Sequence, residues 1–196
     1  MYVHGMNLSI KWYIFFILCS FVVKNSFSQQ QYENKKIKFI ESVTEYSTLE
    51  EFLSRPIYKD KIVYIDLWGT TCLPCLREFK YMNTLKKKLK NYDISFLFIC
   101  QNTQGDTNNE WKRKWKSIVN KYQLEGTHIY TYLKPPDKFV HEKIDFEYMK
   151  KNINEPLGYG IPRYLIAKGG KILIYNAYKP SDVFKLTHQI DSLNLF

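Results

Sequence analysis

The chain has 196 residues, 45% of them apolar and 17% aromatic, which suits one compact domain with its own core rather than two domains. Its 4 cysteines are too few for a disulfide-stapled mini-domain. The formal charge of +10 comes from 29 basic against 19 acidic residues, mostly lysines spread along the chain. The densest runs, Lys86 to Lys90 and Lys112 to Lys116, lie in stretches of helical apolar spacing and read as solvated helix faces. No Arg-rich or Gly-aromatic signature accompanies them, so a nucleic-acid partner is not expected.

Trp12 to Val23 is an uninterrupted run of apolar and weakly polar residues between Lys11 and Lys24. It is short for a membrane span, which needs about 20 residues. It fits the apolar segment of a secretory signal peptide, and Ser26-Phe27-Ser28 offers small residues for cleavage. Residues 1–28 are therefore read as a signal peptide, and the chain as exported to a periplasm or cell envelope. Two alternatives stay open. The segment can remain as an uncleaved anchor, or Cys19 can be lipidated, although bulky Leu18 stands where a lipobox wants a small residue. Either would tether the same domain to a membrane.

Residues 29–47 are polar, with an alternating Ile37-Lys38-Phe39-Ile40 that reads as an arm or a leader strand. Thr48 to Arg55 has the marks of a short helix: Thr48 to cap it, Glu50 and Glu51 in its first turn, and Leu49, Phe52 and Leu53 on one face, with Pro56 as its stop. Ile62 to Trp68 is a nearly continuous β-branched and apolar run, the pattern of a strand buried on both faces. It leads into Gly69-Thr70-Thr71-Cys72-Leu73-Pro74-Cys75 and then a helix with Phe79, Met82, Leu85 and Leu89 on one side. Ile94 to Cys100 reads as a second buried strand, so strand, helix and strand imply a right-handed parallel unit.

Residues 109–122 are helical by the spacing of Trp111, Trp115, Ile118, Val119 and Tyr122, with Gly126 closing that segment and Thr127 to Tyr132 a short strand. Between 133 and 160 only Asp145 to Lys151 suggests a helix. Ile161 to Ala167 and Lys171 to Tyr175 read as a hairpin about Gly169-Gly170. Ser181 is the expected cap of a last helix carrying Val183, Leu186, Ile190 and Leu193.

The chemistry centres on Cys72 and Cys75. A strand, a loop and a helix that starts at a C-x-x-C pair place the first cysteine where unpaired N–H groups and the helix dipole favour a thiolate, the nucleophilic form. The second lies one turn on, close enough to close a disulfide. Such a pair can attack a partner's disulfide and then resolve the mixed disulfide. Half of a zinc site is the competing reading. Zinc wants four ligands, a second pair is absent, and His128, His141 and His188 are scattered, so no metal and no cofactor are expected. A purely structural bridge would constrain little chain. Cys100 reads as a buried small hydrophobe.

Asp66-Leu67-Trp68-Gly69-Thr70-Thr71-Cys72-Leu73-Pro74-Cys75 resembles the active-site motif of thioredoxins, and more closely that of the exported TlpA/ResA-like thiol–disulfide oxidoreductases. Gly160-Ile161-Pro162 before a strand resembles the cis-proline loop of that family, and Glu78 matches a residue common in its TlpA-like branch. The resemblance spans residues 48–196 and implies an α/β, thioredoxin-like fold: a central mixed sheet flanked by helices, with an insertion within about 101–160. It implies Cys72 as nucleophile, Cys75 as resolving thiol and buried Asp66 as proton relay to Cys75. Pro162 in cis would leave the Ile161 backbone free to pair with substrate, and Trp68 would shape the docking surface or pack as a core aromatic. Three positions depart from the pattern: Thr71 for a second tryptophan, Leu73 for glycine, and Lys80 for a helix-kinking proline.

The expected function is exchange of electrons with disulfides or thiols of exported proteins, in the direction of a reductase, fed by an upstream membrane electron donor and working as a monomer. A copper-binding chaperone on the same fold is the second reading. The Gly158 to Pro162 loop lacks the histidine such proteins use, and stoichiometric copper would separate the two. A redox-silent interaction domain is the third, and thiol reactivity would distinguish it.

Overall fold

The computed structural model describes residues 36–40, 42–43, 45–102, 109–132 and 160–193. Its elements in chain order are β1 (Ile37–Ile40), α1 (Leu49–Leu53), α2 (Pro56–Lys59), β2 (Ile62–Trp68), α3 (Leu73–Glu78), a 3-10 turn (Phe79–Tyr81) and α4 (Met82–Lys88). There follow β3 (Ile94–Asn102), α5 (Glu110–Tyr122), β4 (Gly126–Tyr132), β5 (Arg163–Lys168), β6 (Lys171–Ile174), a second 3-10 turn (Pro180–Asp182) and α6 (Val183–Asp191).

The strands form one six-stranded sheet in the order β1-β4-β3-β2-β5-β6. β1, β4, β3 and β2 are parallel to their neighbours, while β5 is antiparallel to β2 and β6 to β5. Central β2 shows why its sequence is continuously apolar. Alternate residues of a strand face opposite sides. Ile62, Tyr64 and Trp68 enter a core with Phe79, Met82, Leu85, Leu89, Trp115, Val119, Leu186 and Ile190. Val63, Ile65 and Leu67 enter the opposite core with Leu49, Phe52, Leu53 and Tyr58. Each such side chain contributes about 1.5–3 kcal/mol by leaving water. Asp66 shares the parity of Tyr64 and Trp68. The sequence therefore places a carboxyl in the core beneath α3 and α4. The α/β class, the mixed sheet and its flanking helices agree with the sequence expectation.

Local details differ from it in five places. Pro56 ends α1 but also starts α2 at a first-turn position, where its missing N–H costs nothing. The helix after the cysteines is broken by the 3-10 turn, where Phe79 is drawn into edge contacts with Trp68, Phe98 and Tyr122. The break occurs without the proline that Lys80 replaces. α5 ends at Tyr122 on a left-handed Gln123, and Gly126 opens β4 instead of closing the helix. Lys86 is not on a solvated face: its ammonium donates to the Glu125 carbonyl oxygen, and burial pushes it down to about 8. Ser181 does not cap α6, whose flanking residue Asp182 makes no side-chain cap bond.

Thr48 does cap α1, its Oγ1 accepting the Glu51 N–H at 3.1 Å, while the Glu51 carboxylate accepts the Ser47 N–H at 2.8 Å. The turn between β5 and β6 uses Gly169 and Gly170 at φ of 61° and 76°, the left-handed region open to glycine. Within the 101–160 span, α5 packs on the core and β4 stands between β1 and β3. The helix expected over 145–151, and the segments 1–28 and 133–159, lie outside the described residues. Among the described residues, no helix is long and apolar enough to cross a membrane.

Candidate active site

β2 delivers the chain to Gly69, where space is tight. A Cβ at Gly69 would lie 2.8 Å from Ile161 Cδ1 and 3.2 Å from the Gln101 carbonyl oxygen. The Cys72 N–H then donates to the Gly69 carbonyl at 3.1 Å, turning the chain into α3. Cys72 is the N-cap of that helix. Its Sγ accepts the Cys75 N–H at 3.2 Å, and its carbonyl accepts the Leu76 N–H at 3.1 Å. Pro74 sits in the first turn, where a missing donor is harmless. The two sulfurs are joined as a disulfide with the Cα atoms 5.3 Å apart.

The two cysteines differ in access. Cys75 is 1% exposed, Cys72 is half-buried, and Leu73 between them is 67% exposed. Facing the pair, Ile161 brings its carbonyl oxygen to 3.6 Å from Cys72 Sγ, and the Ile161–Pro162 peptide is cis. A strand-loop-helix carrying the disulfide, a parallel βαβ unit, and a cis-proline loop opening the antiparallel hairpin thus meet at the C-terminal end of central β2.

This arrangement is a thioredoxin-like fold. No family model matches the chain, and neither does any curated protein. Solved structures do. A candidate thiol-disulfide oxidoreductase from Bacteroides vulgatus is 29% identical with a TM-score of 0.46, over 70% of this chain and 76% of that one. A thiol-disulfide oxidoreductase from Bacteroides fragilis is 15% identical with a TM-score of 0.47, over 72% and 87%. A secreted Mycobacterium tuberculosis disulfide oxidoreductase, homologous to E. coli DsbE, is 15% identical with a TM-score of 0.41, over 68% and 83%.

The residues singled out in the sequence divide into three groups. Cys72, Cys75, Ile161 and Pro162 come together at the C-terminal end of β2. Asp66 lies on the strand leading in, 1% exposed, and neither carboxyl oxygen has a hydrogen-bond partner. Burial pushes its pKa well above the usual carboxylate range, and the negative charge of Glu78 adds to the push. An Asp66 that prefers its proton is a fit acceptor for a thiol proton and a poor permanent charge. Trp68 is corrected: it is fully buried, its ring edge-on to Phe79 at 4.9 Å, so it packs the core and offers nothing to a docking partner.

Cys100 is a free, buried thiol paired in register with Trp68. Burial pushes its pKa far up, so it stays protonated and unreactive.

Two features escaped the sequence reading. Glu78 is anchored by the second 3-10 turn: its carboxylate accepts the Ser181 N–H at 2.9 Å and hydroxyl at 3.1 Å, with Lys179 Nζ at 3.8 Å. Ser181 thus ties α3 to the segment before α6. Tyr164 is the other, a buried residue directly opposite Asp66 in the β2–β5 ladder, its hydroxyl without a hydrogen-bond partner. Its signal was a polar atom in an otherwise apolar strand, and only strand register makes that readable.

Proposed function

We propose that this chain is a thiol–disulfide oxidoreductase for exported proteins, that it runs as a reductase, and that Cys72, Cys75 and Asp66 carry the chemistry. The observation that carries the reading is the asymmetry of the pair. Cys72 is the reachable sulfur, it accepts the Cys75 N–H in the first turn of its own helix, and it lies beside the Ile161 carbonyl, while Cys75 is buried.

In the reduced protein the Cys72 thiolate attacks a partner disulfide. A mixed disulfide forms and one partner thiolate leaves. Cys75 gives its proton to the Asp66 carboxylate and attacks Cys72 Sγ. The second partner thiolate departs, and Cys72–Cys75 closes as a disulfide. Two electrons pass to the partner, and Asp66 later releases its proton. An upstream membrane donor of electrons would then reopen the bridge. Ile161 and Pro162 would hold the partner's extended main chain against the site, as edge pairing does elsewhere.

The modest support offered at Cys72 Sγ favours the reductase direction. Strong oxidants stabilise their reduced form heavily. Here the donor reaching Cys72 Sγ among the described residues is one backbone N–H. The Leu73-Pro74 pair between the cysteines, without histidine, agrees. Export, to a periplasm or cell envelope, rests on the apolar run from Trp12 to Val23.

The test is a redox titration of the protein read by thiol alkylation and mass, with Cys72→Ser and Cys75→Ser beside it. A reversible two-electron couple near or below about −270 mV supports a reductase. A far more oxidising couple reverses the direction. A pair that never cycles rejects the enzyme, and stoichiometric copper would then mark a chaperone.

A further inference from the structure

Asp66 and Tyr164 are directly opposite each other in the antiparallel β2–β5 register. Opposed residues on adjacent strands point to the same face with Cβ atoms about 4.5–5.5 Å apart. Both are buried, at 1% and 5% exposure. Asp66 Oδ1, Asp66 Oδ2 and the Tyr164 hydroxyl have no hydrogen-bond partner. Buried polar groups left without partners are costly and seldom tolerated without a use. Here an unpartnered hydroxyl and an unpartnered carboxyl stand directly opposite each other on one interior face, in the core that also holds Cys75 and the unpartnered Trp68 Nε1, which lies two residues along β2 instead of across from Asp66.

The surroundings single out Tyr164 over its neighbour. Tyr64 stacks on Tyr164 with centroids 5.7 Å apart at 14°. Its own hydroxyl, however, is already spent on the Tyr178 carbonyl at 2.9 Å. The remaining titratable groups near Asp66 are Glu78 on α3, which Lys179 and Ser181 hold, Cys75 on α3 and Cys100 on β3. Cys75 can give Asp66 a proton but cannot steady its charge, Cys100 stays protonated, and Glu78 repels it. Asp66 and Tyr164 also interact electrostatically.

We propose that Tyr164 is the positioning residue for Asp66, its hydroxyl donating a hydrogen bond to the Asp66 carboxylate, directly or through one water, while Asp66 waits to accept the Cys75 proton. The inference rests on the proposed role of Asp66. A donor aimed at the carboxylate keeps enough of the ionised form for Asp66 to act as a base near neutral pH. Without it, burial and Glu78 would hold Asp66 protonated and idle.

The experiment follows the second release of thionitrobenzoate when the reduced full-length protein reacts with the aromatic disulfide dithiobis(nitrobenzoate). The first release marks attack by Cys72 and the second marks resolution by Cys75. Rates are measured against pH for the wild type, Tyr164→Phe, Tyr64→Phe and Asp66→Asn. Loss of a hydrogen bond donated to a carboxylate raises its proton affinity about tenfold. Tyr164→Phe should therefore move the inflection of the second phase up by about one pH unit and leave the first phase alone. Tyr64→Phe should leave the inflection in place, and Asp66→Asn should abolish it. An unmoved inflection in Tyr164→Phe, with Asp66→Asn behaving as expected, overturns the role of Tyr164 alone. An inflection that survives in Asp66→Asn rejects the proton-acceptor role of Asp66 and the inference with it. Thermal melting of each variant checks the fold, and the first phase reports an intact Cys72.

Discussion

Acid should weaken this fold through His128, and the size of the effect follows from its burial. His128 on β4 is fully buried, stacked on Phe98 at 4.7 Å and 4° and tilted against Phe39 of β1 at 5.6 Å. Nε2–H donates to the Leu124 carbonyl at 2.7 Å, and Nδ1 has no partner. A second proton on the ring would have no acceptor. Burial pushes its pKa from 6.5 down to about 4, against an opposing pull from the Leu124 carbonyl and with a lesser push from the charge of Lys86. The folded pKa lies below the unfolded one, so between them the unfolded chain binds more protons, and stability rises with pH across that window. It is present in full above about 6.5 and is lost as pH falls toward 4. At 1.36 kcal/mol per unit, the loss is about 3 kcal/mol between pH 7 and pH 4. His128→Phe keeps the ring stack and removes the titration, and the carboxylates common to both proteins cancel in the difference. Urea unfolding at pH 7, 5.5 and 4 should show the wild type losing about 3 kcal/mol relative to the variant. A difference constant to about 0.5 kcal/mol would refute the reasoning, because His128 would then titrate alike in both states.

Asp66 predicts the opposite slope. Its folded pKa is raised, so its contribution is present below the unfolded value of 3.8 and is lost as pH climbs. Asp66→Asn should therefore be more stable than the wild type at pH 8, with the gap closing toward pH 3.5. Melting curves that differ by a constant amount would sink this. Gly69→Ala should cost about 1–3 kcal/mol, the usual range for overpacking. Its new methyl meets Ile161 Cδ1, which can yield, and the Gln101 carbonyl, which is backbone. Displacing Ile161 should also slow attack by Cys72 on a peptide disulfide. Wild-type melting together with wild-type rates would show that the loop has room after all.

Much of the site was legible in the sequence because its chemistry is local. A cysteine pair at a strand-to-helix junction carries its spacing, its capping geometry and its nucleophile in one short segment. The acid on β2 could be read as buried because an uninterrupted apolar run is dry on both faces wherever it stands. Ile161-Pro162 could be matched to the cis-proline loop by its motif, but only the folded sheet sets its carbonyl at 3.6 Å from a sulfur 89 residues earlier. Trp68 shows the limit from the other side. An aromatic before the motif can face outward or inward, and the parity of β2 together with Phe79 decided inward.

The sequence by itself thus determined the element types, the reactive pair and the presence of a buried acid. These depend on periodicity and short-range spacing, which a chain carries along its own length. The tertiary structure alone decided which strand lies beside β2, and so that Tyr164 rather than Tyr64 faces Asp66 with its hydroxyl uncommitted. It alone turned Ser181 from a helix cap into the anchor of Glu78. Those outcomes depend on register and on contacts between residues distant in sequence. Backbone hydrogen bonds and core packing set these only after the elements have met.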